Sequence, residues 1–300
     1  MLKQLQFFAL PESWELADGR LEAALDPHRI QPILACESIR TGFDALPVVD
    51  TLTHSGMGAT LFAVATDRKR VPASVLKREA ERRIAESIAR VGERPGKKVR
   101  EQIKDDATAY LLSRAFAVRS TTLAYFDTTL RMLVIGTASE SAAERAILTL
   151  RQALGSLPVE AVGSPLGAES VLKGIARRGD FCNLRAGESV DFVDAAEGGT
   201  AKLRRFDIPG PKSSAIIEDG LDVASIELTY ADRVTFVLDS QCRITRLRLP
   251  ELEESATPGD ARDDFAGRFA LLVLEVRELV KGLRAAGLMS NAGSARSAWL

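Results

Sequence analysis

Short runs of apolar residues, alternating with polar ones or rich in β-branched side chains, predict strands in the first part of the chain. Residues 5–10 form one such run, and residues 59–66 form another with the sequence ATLFAVAT. The charged residues 67–70 follow it and predict a turn. Between the two runs, residues 38–43 and 46–47 show no regular period and predict an irregular connection.

The period becomes helical after Pro72, where apolar residues recur at spacings of three, four or their sums. This pattern predicts a helix that ends between Gly92 and Gly96. A second helix is predicted to begin near Lys97. Its apolar face consists of Val99, Ile103, Ala107, Tyr110 and Leu111. The two segments would form a helical pair or one broken helix.

A hairpin and a helix are predicted next. Residues 121–126 and 131–137 are β-rich and are separated by four residues, which suits a hairpin. Apolar residues spaced by four then predict a helix over residues 141–154, which Gly155 and Pro158 end.

The second half of the chain mixes strands and helices. A short helix is predicted around residues 168–177, and strands are predicted between residues 189 and 249. Residues 226–230 and 234–238 alternate well and predict a hairpin, and residues 262–285 predict a long helix. Because hairpins replace regular βαβ alternation, the fold class is predicted to be α+β, with mixed sheets.

These transitions divide the chain into four predicted parts. Residues 1–70 form a β-rich part, and residues 71–120 form a basic helical arm. Residues 121–158 supply a hairpin and a helix that pack with the first part. Residues 159–300 form a C-terminal α+β part with the long terminal helix.

Composition is that of a globular protein, with 46% apolar residues among 300 and a formal net charge of −1. A polycation that coats nucleic acid over its whole surface is excluded. Cys36, Cys182 and Cys242 lie far apart, which predicts free thiols rather than a disulfide framework or a zinc site. The chain shows neither a signal peptide nor an apolar run long enough for a bilayer, so we expect a cytoplasmic protein with no membrane partner.

Charge is concentrated in the predicted arm. Residues 68–104 contain thirteen Lys or Arg against five Glu, a local excess of +8. Such a segment can bind a duplex by releasing the counterions of its phosphates, without any contact to bases. The arm residues expected to contact DNA are Lys77, Arg78, Lys97 and Lys98. The alternative is a solvated helix surface on which these cations pair with neighbouring glutamates.

A second basic cluster consists of Lys202, Arg204 and Arg205, and Phe206 follows it. We predict that it also contacts DNA. The alternative is a strand edge that charge protects from aggregation.

The second helix of the arm is predicted to end with Arg114 and, two residues later, Phe116. An aromatic residue at a helix end is usually part of a core. The alternative is an anchor that inserts into a pocket of a partner, where aromatic residues dominate binding energy.

Catalytic patterns are scarce. His28 and His54 lie at no metal-ligand spacing, and no phosphate-binding glycine motif is present, so we expect no cofactor, no metal and no enzymatic activity. Acidic residues do cluster over residues 251–264. Converging carboxylates there would suit a Mg²⁺-dependent DNA-processing enzyme, but they also suit a loop and the N-terminus of the following helix.

Five segments, in order along the chain, resemble those of the RdgC family. The segments are LTH at residues 52–54, VPASVLK at residues 71–77, LSRAF at residues 112–116, LGSLPV at residues 154–159 and DFAGRF at residues 264–269. No single segment is specific, but their order and spacing are, and the resemblance runs from about Leu2 to Leu283, essentially the whole chain.

The resemblance implies a closed ring of two copies, a homodimer, with double-stranded DNA passing through a positively lined hole. It also implies association with the nucleoid and restraint of RecA-driven strand exchange. Phe116 would be the gate residue that inserts into the partner subunit, and Arg114 would face DNA beside it. Arg205 would replace a lysine of the family's basic segment.

Two departures from the family pattern, Phe206 and Leu221, weaken the expectation for the second basic cluster, although Lys202 and Arg204 are available there. Three hypotheses therefore remain: a duplex-binding ring that limits RecA, a Mg²⁺-dependent DNA-processing enzyme, and a recombination adaptor that binds only proteins.

Overall fold

The computed structural model describes residues 2–14, 20–194, 198–206, 208–250 and 261–291. The strands are β1 Gln6–Ala9, β2 Ile39–Asp44, β3 Thr53–Gly56, β4 Ala59–Lys69, β5 Ala117–Asp127, β6 Met132–Ile135, β7 Glu160–Ala161, β8 Asp180–Phe181, β9 Leu184–Val193, β10 Thr200–Arg204, β11 Asp222–Tyr230, β12 Val234–Asp239 and β13 Ile244–Arg248. The α-helices are α1 Arg20–Leu25, α2 Ala73–Val91, α3 Lys97–Arg114, α4 Glu140–Leu154, α5 Ala168–Arg178, α6 Pro211–Glu218 and α7 Ala261–Ala285.

The first sheet is antiparallel, with the order β2-β4-β5-β6-β1-β7 and with β3 also paired to β4. Its central strands are buried on both faces, because α1 and α4 pack in the apolar cluster on one side. On the other side its residues share an apolar cluster with α7. A strand that is covered twice consists of continuous apolar residues, as β6 does with the sequence MLVI.

The second sheet is antiparallel in the order β10-β9-β11-β12-β13, and β8 also pairs with β9. Its strands alternate buried and half-exposed residues, most regularly in β12. The buried side chains face α5 and α7, and the other face of the sheet is open. One covered face and one open face explain the alternation that the sequence displays.

Helix α7 joins the two sheets into one structure. Its buried residues belong to an apolar cluster that includes strands of both sheets. Gly282 permits a close approach, because a Cβ atom at this position would lie 2.3 Å from the Tyr230 ring. The backbone also connects the sheets, since Leu5 and Ile244 exchange two hydrogen bonds of 2.9 and 3.0 Å.

The mixed α+β fold class is confirmed, as are both predicted hairpins and the predicted helices over residues 141–154, 168–177 and 262–285. The irregular connection over residues 38–43 is wrong, because β2 forms there and pairs with β4. The turn over residues 67–70 is also wrong, since β4 continues to Lys69. The charged residues at the end of β4 are typical of a turn, which is why the sequence did not indicate that the strand continues.

Helices α2 and α3 form the arm that the sequence predicts, and they contact each other. Among their residues only Ala107 is buried. The apolar residues whose spacing predicted α2 are half-buried or exposed, and Val91 is 64% exposed. Almost every residue of the arm is therefore at least partly exposed to solvent. No helix among the described residues is both long and apolar enough to cross a bilayer.

Candidate nucleic-acid interface

The arm is attached to the long hairpin of β4 and β5, the strands that precede and follow it. Arg119 of β5 forms two hydrogen bonds of 2.8 and 2.9 Å with the carboxylate of Asp67 in β4, and it also contacts Asp44. Hydrogen bonding to Arg119 lowers the pKa of Asp67 below its ordinary value. Lys69 is buried, and its Nζ donates to the carbonyls of Leu34 and Ala35, so this cation is not available to a ligand.

Some cations of the arm are neutralised within α2. Glu79 accepts hydrogen bonds from Arg82 and Arg83, which lower its pKa to about 2. Arg82 also pairs with Glu86, and Lys77 lies 3.9 Å from Glu81. The alternative of a helix surface with paired charges therefore applies to this part of the arm.

Other cations of the arm have no carboxylate within ion-pair distance among the residues that the structure describes. They are Arg78, Arg90, Arg94, Lys97, Lys98, Arg100 and Lys104. All seven are exposed, and so is Lys77. The end of α2, the connection and the first half of α3 thus carry six of these exposed cations, with Glu93 and Glu101 between them.

Phe116 lies at the foot of the arm, between the end of α3 and the start of β5, and its side chain is 92% exposed. The expectation that an aromatic residue at this helix end belongs to the core is therefore wrong. Val118, two residues later, is 70% exposed. Burying such apolar surface against a partner is favourable, so this site has the character of an interface.

Arg114 ends α3 beside Phe116 and is exposed. Its guanidinium stacks on Tyr110, with the Cζ atom 4.5 Å from the ring centroid, and the Arg83 Cζ atom lies 4.9 Å from the same centroid. Tyr110 thus holds two guanidinium groups near the foot of the arm, a feature that the sequence analysis missed. The i, i+4 spacing of Tyr110 and Arg114 was the signal for one of them.

The second basic cluster lies at β10, an edge strand of the second sheet. Lys202, Arg204 and Arg205 are all exposed. The Arg204 guanidinium pairs with Asp191 of the neighbouring strand, with 2.5 Å between Nη2 and Oδ1. This position is compatible with both alternatives. The cations can protect the edge strand from aggregation, or they can contact phosphates.

The two departures from the family pattern have separate environments. The Nζ atom of Lys212 lies over the ring of Phe206, 4.5 Å from the ring centroid. Leu221 is partly buried and packs against the apolar cluster that includes strands of both sheets.

Arg246 and Arg248 of β13 are further exposed cations that the sequence analysis missed. They line a groove of about 500 Å³ on the open face of the second sheet, together with Arg204 and Arg205. The signal was the alternation of apolar residues and arginines in β13, but its register was not evident from the sequence.

The residues that suggested metal chemistry are placed only in part. Residues 251–260 lie outside the described residues, and Asp263 and Asp264 lie in the first turn of α7. Within the part of the chain that is described, no group of three His, Cys, Asp or Glu residues is placed to hold a metal ion. His54 packs edge-on against the rings of Phe265 and Phe269, 5.3 and 5.7 Å between centroids.

Comparison with known proteins agrees with the resemblance over nearly the whole chain. A family model described as "RdgC: Putative exonuclease, RdgC" matches residues 1–288. The recombination-associated protein RdgC of Xanthomonas campestris is 30% identical, over 97% of this chain and 98% of its own length. The protein of the same name from Pseudomonas aeruginosa PAO1 is 28% identical, over 94% and 95% of the two chains. The chain therefore belongs to the RdgC family of recombination-associated proteins.

Proposed function

We propose that this protein is a homodimeric ring that encircles double-stranded DNA without regard to its sequence and thereby limits RecA activity during recombination. The observation that carries the proposal is the pairing of Phe116, 92% exposed, with the exposed guanidinium of Arg114 at the foot of the basic arm. An apolar anchor beside a phosphate-binding group joins a protein contact and a DNA contact at one site. We further propose that the protein acts at the nucleoid without catalysing a reaction.

The DNA contacts in this proposal are electrostatic. Lys77, Arg78, Lys97 and Lys98 on the arm are exposed, and so are the three cations of the second cluster. Phosphate contacts position a protein on DNA but carry no sequence information. Because each contact releases counterions, the affinity is expected to fall steeply with salt and to change little with base sequence.

The dimer contact in this proposal is the insertion of Phe116 into the partner subunit. A closed ring of two subunits needs two interfaces between them. Phe116 would lie at the interface that opens to admit DNA. A ring that surrounds duplex DNA would compete with a RecA filament for the same substrate, which requires no direct contact between the two proteins.

A gel-shift series tests the proposal directly. Two duplexes of unrelated sequence are titrated with the protein at about 50 and about 200 mM salt. Similar affinity for both duplexes and a loss of several powers of ten between the two salt concentrations are expected. Strong preference for one sequence, or affinity that does not respond to salt, would contradict the proposal. Imaging of the particle with and without DNA tests the ring.

The name exonuclease in the description of the matching family favours one second candidate, a nuclease that acts at DNA ends. Mg²⁺-dependent chemistry at residues 251–264 would be its basis. Linear and circular plasmid incubated with the protein and Mg²⁺ distinguish the candidates, since a nuclease shortens the linear form while a binding ring leaves both intact.

A recombination adaptor that contacts only proteins is the remaining alternative. It predicts no gel shift at any salt concentration, and unchanged function when Arg114 and Arg205 are both replaced by Ala.

A further inference from the structure

The groove on the open face of the second sheet is lined by arginines from opposite edges of that sheet. Arg204 and Arg205 lie at the end of β10, and Arg246 and Arg248 lie in β13. Only the first two belong to the basic cluster that the sequence indicates. Four guanidinium groups therefore line one concave surface, and two of them were not expected from the sequence.

A bulge in β13 introduces Arg246 into this surface. Thr235 of β12 pairs with Arg248, but Val237 pairs with Thr245, so β13 contains one more residue than β12 between these two pairs. Arg246 has a φ of 51°, in the left-handed region that residues other than glycine seldom adopt. Bulges of this kind redirect side chains and are found next to functional sites.

The bulge decides which face the arginines occupy. In a regular strand, Arg246 and Arg248 would share the face of Ile244, which is fully buried. The extra residue shifts the alternation, so that Leu247 is buried and both arginines are exposed. The irregular pairing of β13 thus occurs at the position where it places Arg246 and Arg248 in the groove.

The charge in the groove is predominantly positive. Arg205 also has a left-handed backbone, with a φ of 52°, so two strained arginines line the same surface. Neither Arg246 nor Arg248 has an ion-pair partner among the described residues. Glu188 and Glu227 line the groove as well, and the Glu227 carboxylate accepts a hydrogen bond from Ser189.

We infer that this groove binds the phosphodiester backbone of nucleic acid, with Arg246 and Arg248 as contacts in addition to Arg204 and Arg205. The inference rests on the proposed function and extends its DNA-contacting surface to β13. Guanidinium groups suit this ligand because their planar forks donate two parallel hydrogen bonds to phosphate oxygens. An acidic peptide is the competing occupant, and the experiment separates the two.

The test measures the affinity for a fluorescent duplex at several salt concentrations. The double variant Arg246→Ala/Arg248→Ala is expected to bind at least about tenfold more weakly at low salt, because charge-assisted hydrogen bonds are lost. The slope of log affinity against log salt should fall in magnitude by about 1.8 for each subunit on the duplex, at about 0.9 per phosphate contact.

The matched control is Arg268→Ala/Lys281→Ala. It removes the same charge from exposed positions on α7, where both side chains are 64% exposed and paired with an acidic neighbour. Its affinity and slope should stay close to those of the wild type. The Glu227→Gln variant should bind about fivefold more tightly, the size of one charge interaction near a surface. A gain of binding cannot result from a folding defect.

The outcomes separate the inference from the proposed function. If Arg114→Ala weakens binding while Arg246→Ala/Arg248→Ala matches its control, the inference is overturned and the proposed function stands. If the wild type does not bind duplex, both are overturned. If the Arg246→Ala/Arg248→Ala variant loses affinity for poly-glutamate but keeps the duplex affinity of its control, the groove belongs to an acidic peptide and the inference is overturned.

Discussion

The Cζ atom of Arg114 lies 4.5 Å from the centroid of the Tyr110 ring, one helical turn earlier in α3. Arg83 of α2 approaches the same ring from the other helix of the arm, at 4.9 Å. The ring thus fixes the direction of Arg114 next to Phe116. Cation–π contacts at exposed sites contribute about 0.5–1 kcal/mol each.

Replacing Tyr110 by Leu is expected to release Arg114 and to weaken duplex binding about two- to fivefold, the equivalent of one such contact. The Tyr110→Phe variant keeps the aromatic face and should bind like the wild type. Fluorescence anisotropy with a short duplex measures both. Equal losses for Leu and Phe would mean that the hydroxyl group, and not the ring, is responsible.

Replacing Phe116 by Ala should open the proposed ring at one interface. Truncating a central aromatic anchor costs about 2 kcal/mol or more, so the dimer should dissociate about thirtyfold more readily. Retention on circular DNA should fall more than affinity for a short linear duplex, because only a closed circle depends on the ring staying shut. Half-lives of the complexes on the two substrates measure this difference.

The control for this variant is Leu166→Ala, which removes another apolar side chain that is 85% exposed. It should behave like the wild type on both substrates. Unchanged retention of the Phe116→Ala variant on circular DNA would remove the gate from the proposal.

Replacing Arg277 by Leu should destabilise the fold strongly. Its guanidinium forms two hydrogen bonds of 2.8 and 3.0 Å with Asp127, whose side chain is fully buried, and this pair joins α7 to the hairpin of β5 and β6. Removing one partner leaves a buried charge alone, at a cost of about 3–5 kcal/mol in the free energy of unfolding. Urea denaturation measures the loss.

Two comparisons support that measurement. The double variant Arg277→Leu/Asp127→Leu should recover part of the loss, because no charge then remains unpaired. Lys281→Ala removes an exposed pair with Glu278 and should change the free energy of unfolding by less than about 0.5 kcal/mol. A loss no larger for Arg277→Leu than for Lys281→Ala would contradict the assigned role.

Acid should weaken the attachment of the arm through Asp67. Hydrogen bonding to Arg119 lowers the pKa of this carboxyl below its ordinary value of 3.8. A lowered pKa in the folded state means that the stabilisation is complete above the ordinary value and is lost as the pH falls through the folded value. The difference in unfolding free energy between the wild type and Asp67→Asn should thus be constant at neutral pH and shrink below about pH 4. A difference that grows with acid would contradict this assignment.

The positions of the helices and hairpins followed from local pattern. Residues 141–154 repeat apolar side chains every four residues, and α4 occupies almost the same range. The strand β2 escaped prediction because its residues, IRTGFD, carry charge and a glycine and are stabilised by pairing with β4. Pairing between distant segments leaves little trace in a local period.

The sequence by itself determined the α+β fold class, the concentration of positive charge in the arm, and the family. Each of these depends on residues that are near one another in the chain, so spacing and order are sufficient. The tertiary structure alone decided that Phe116 is exposed and that Arg246 and Arg248 share a groove with Arg204 and Arg205. Exposure depends on what packs against a residue from elsewhere, and a one-residue bulge reverses the faces of a strand without changing its composition.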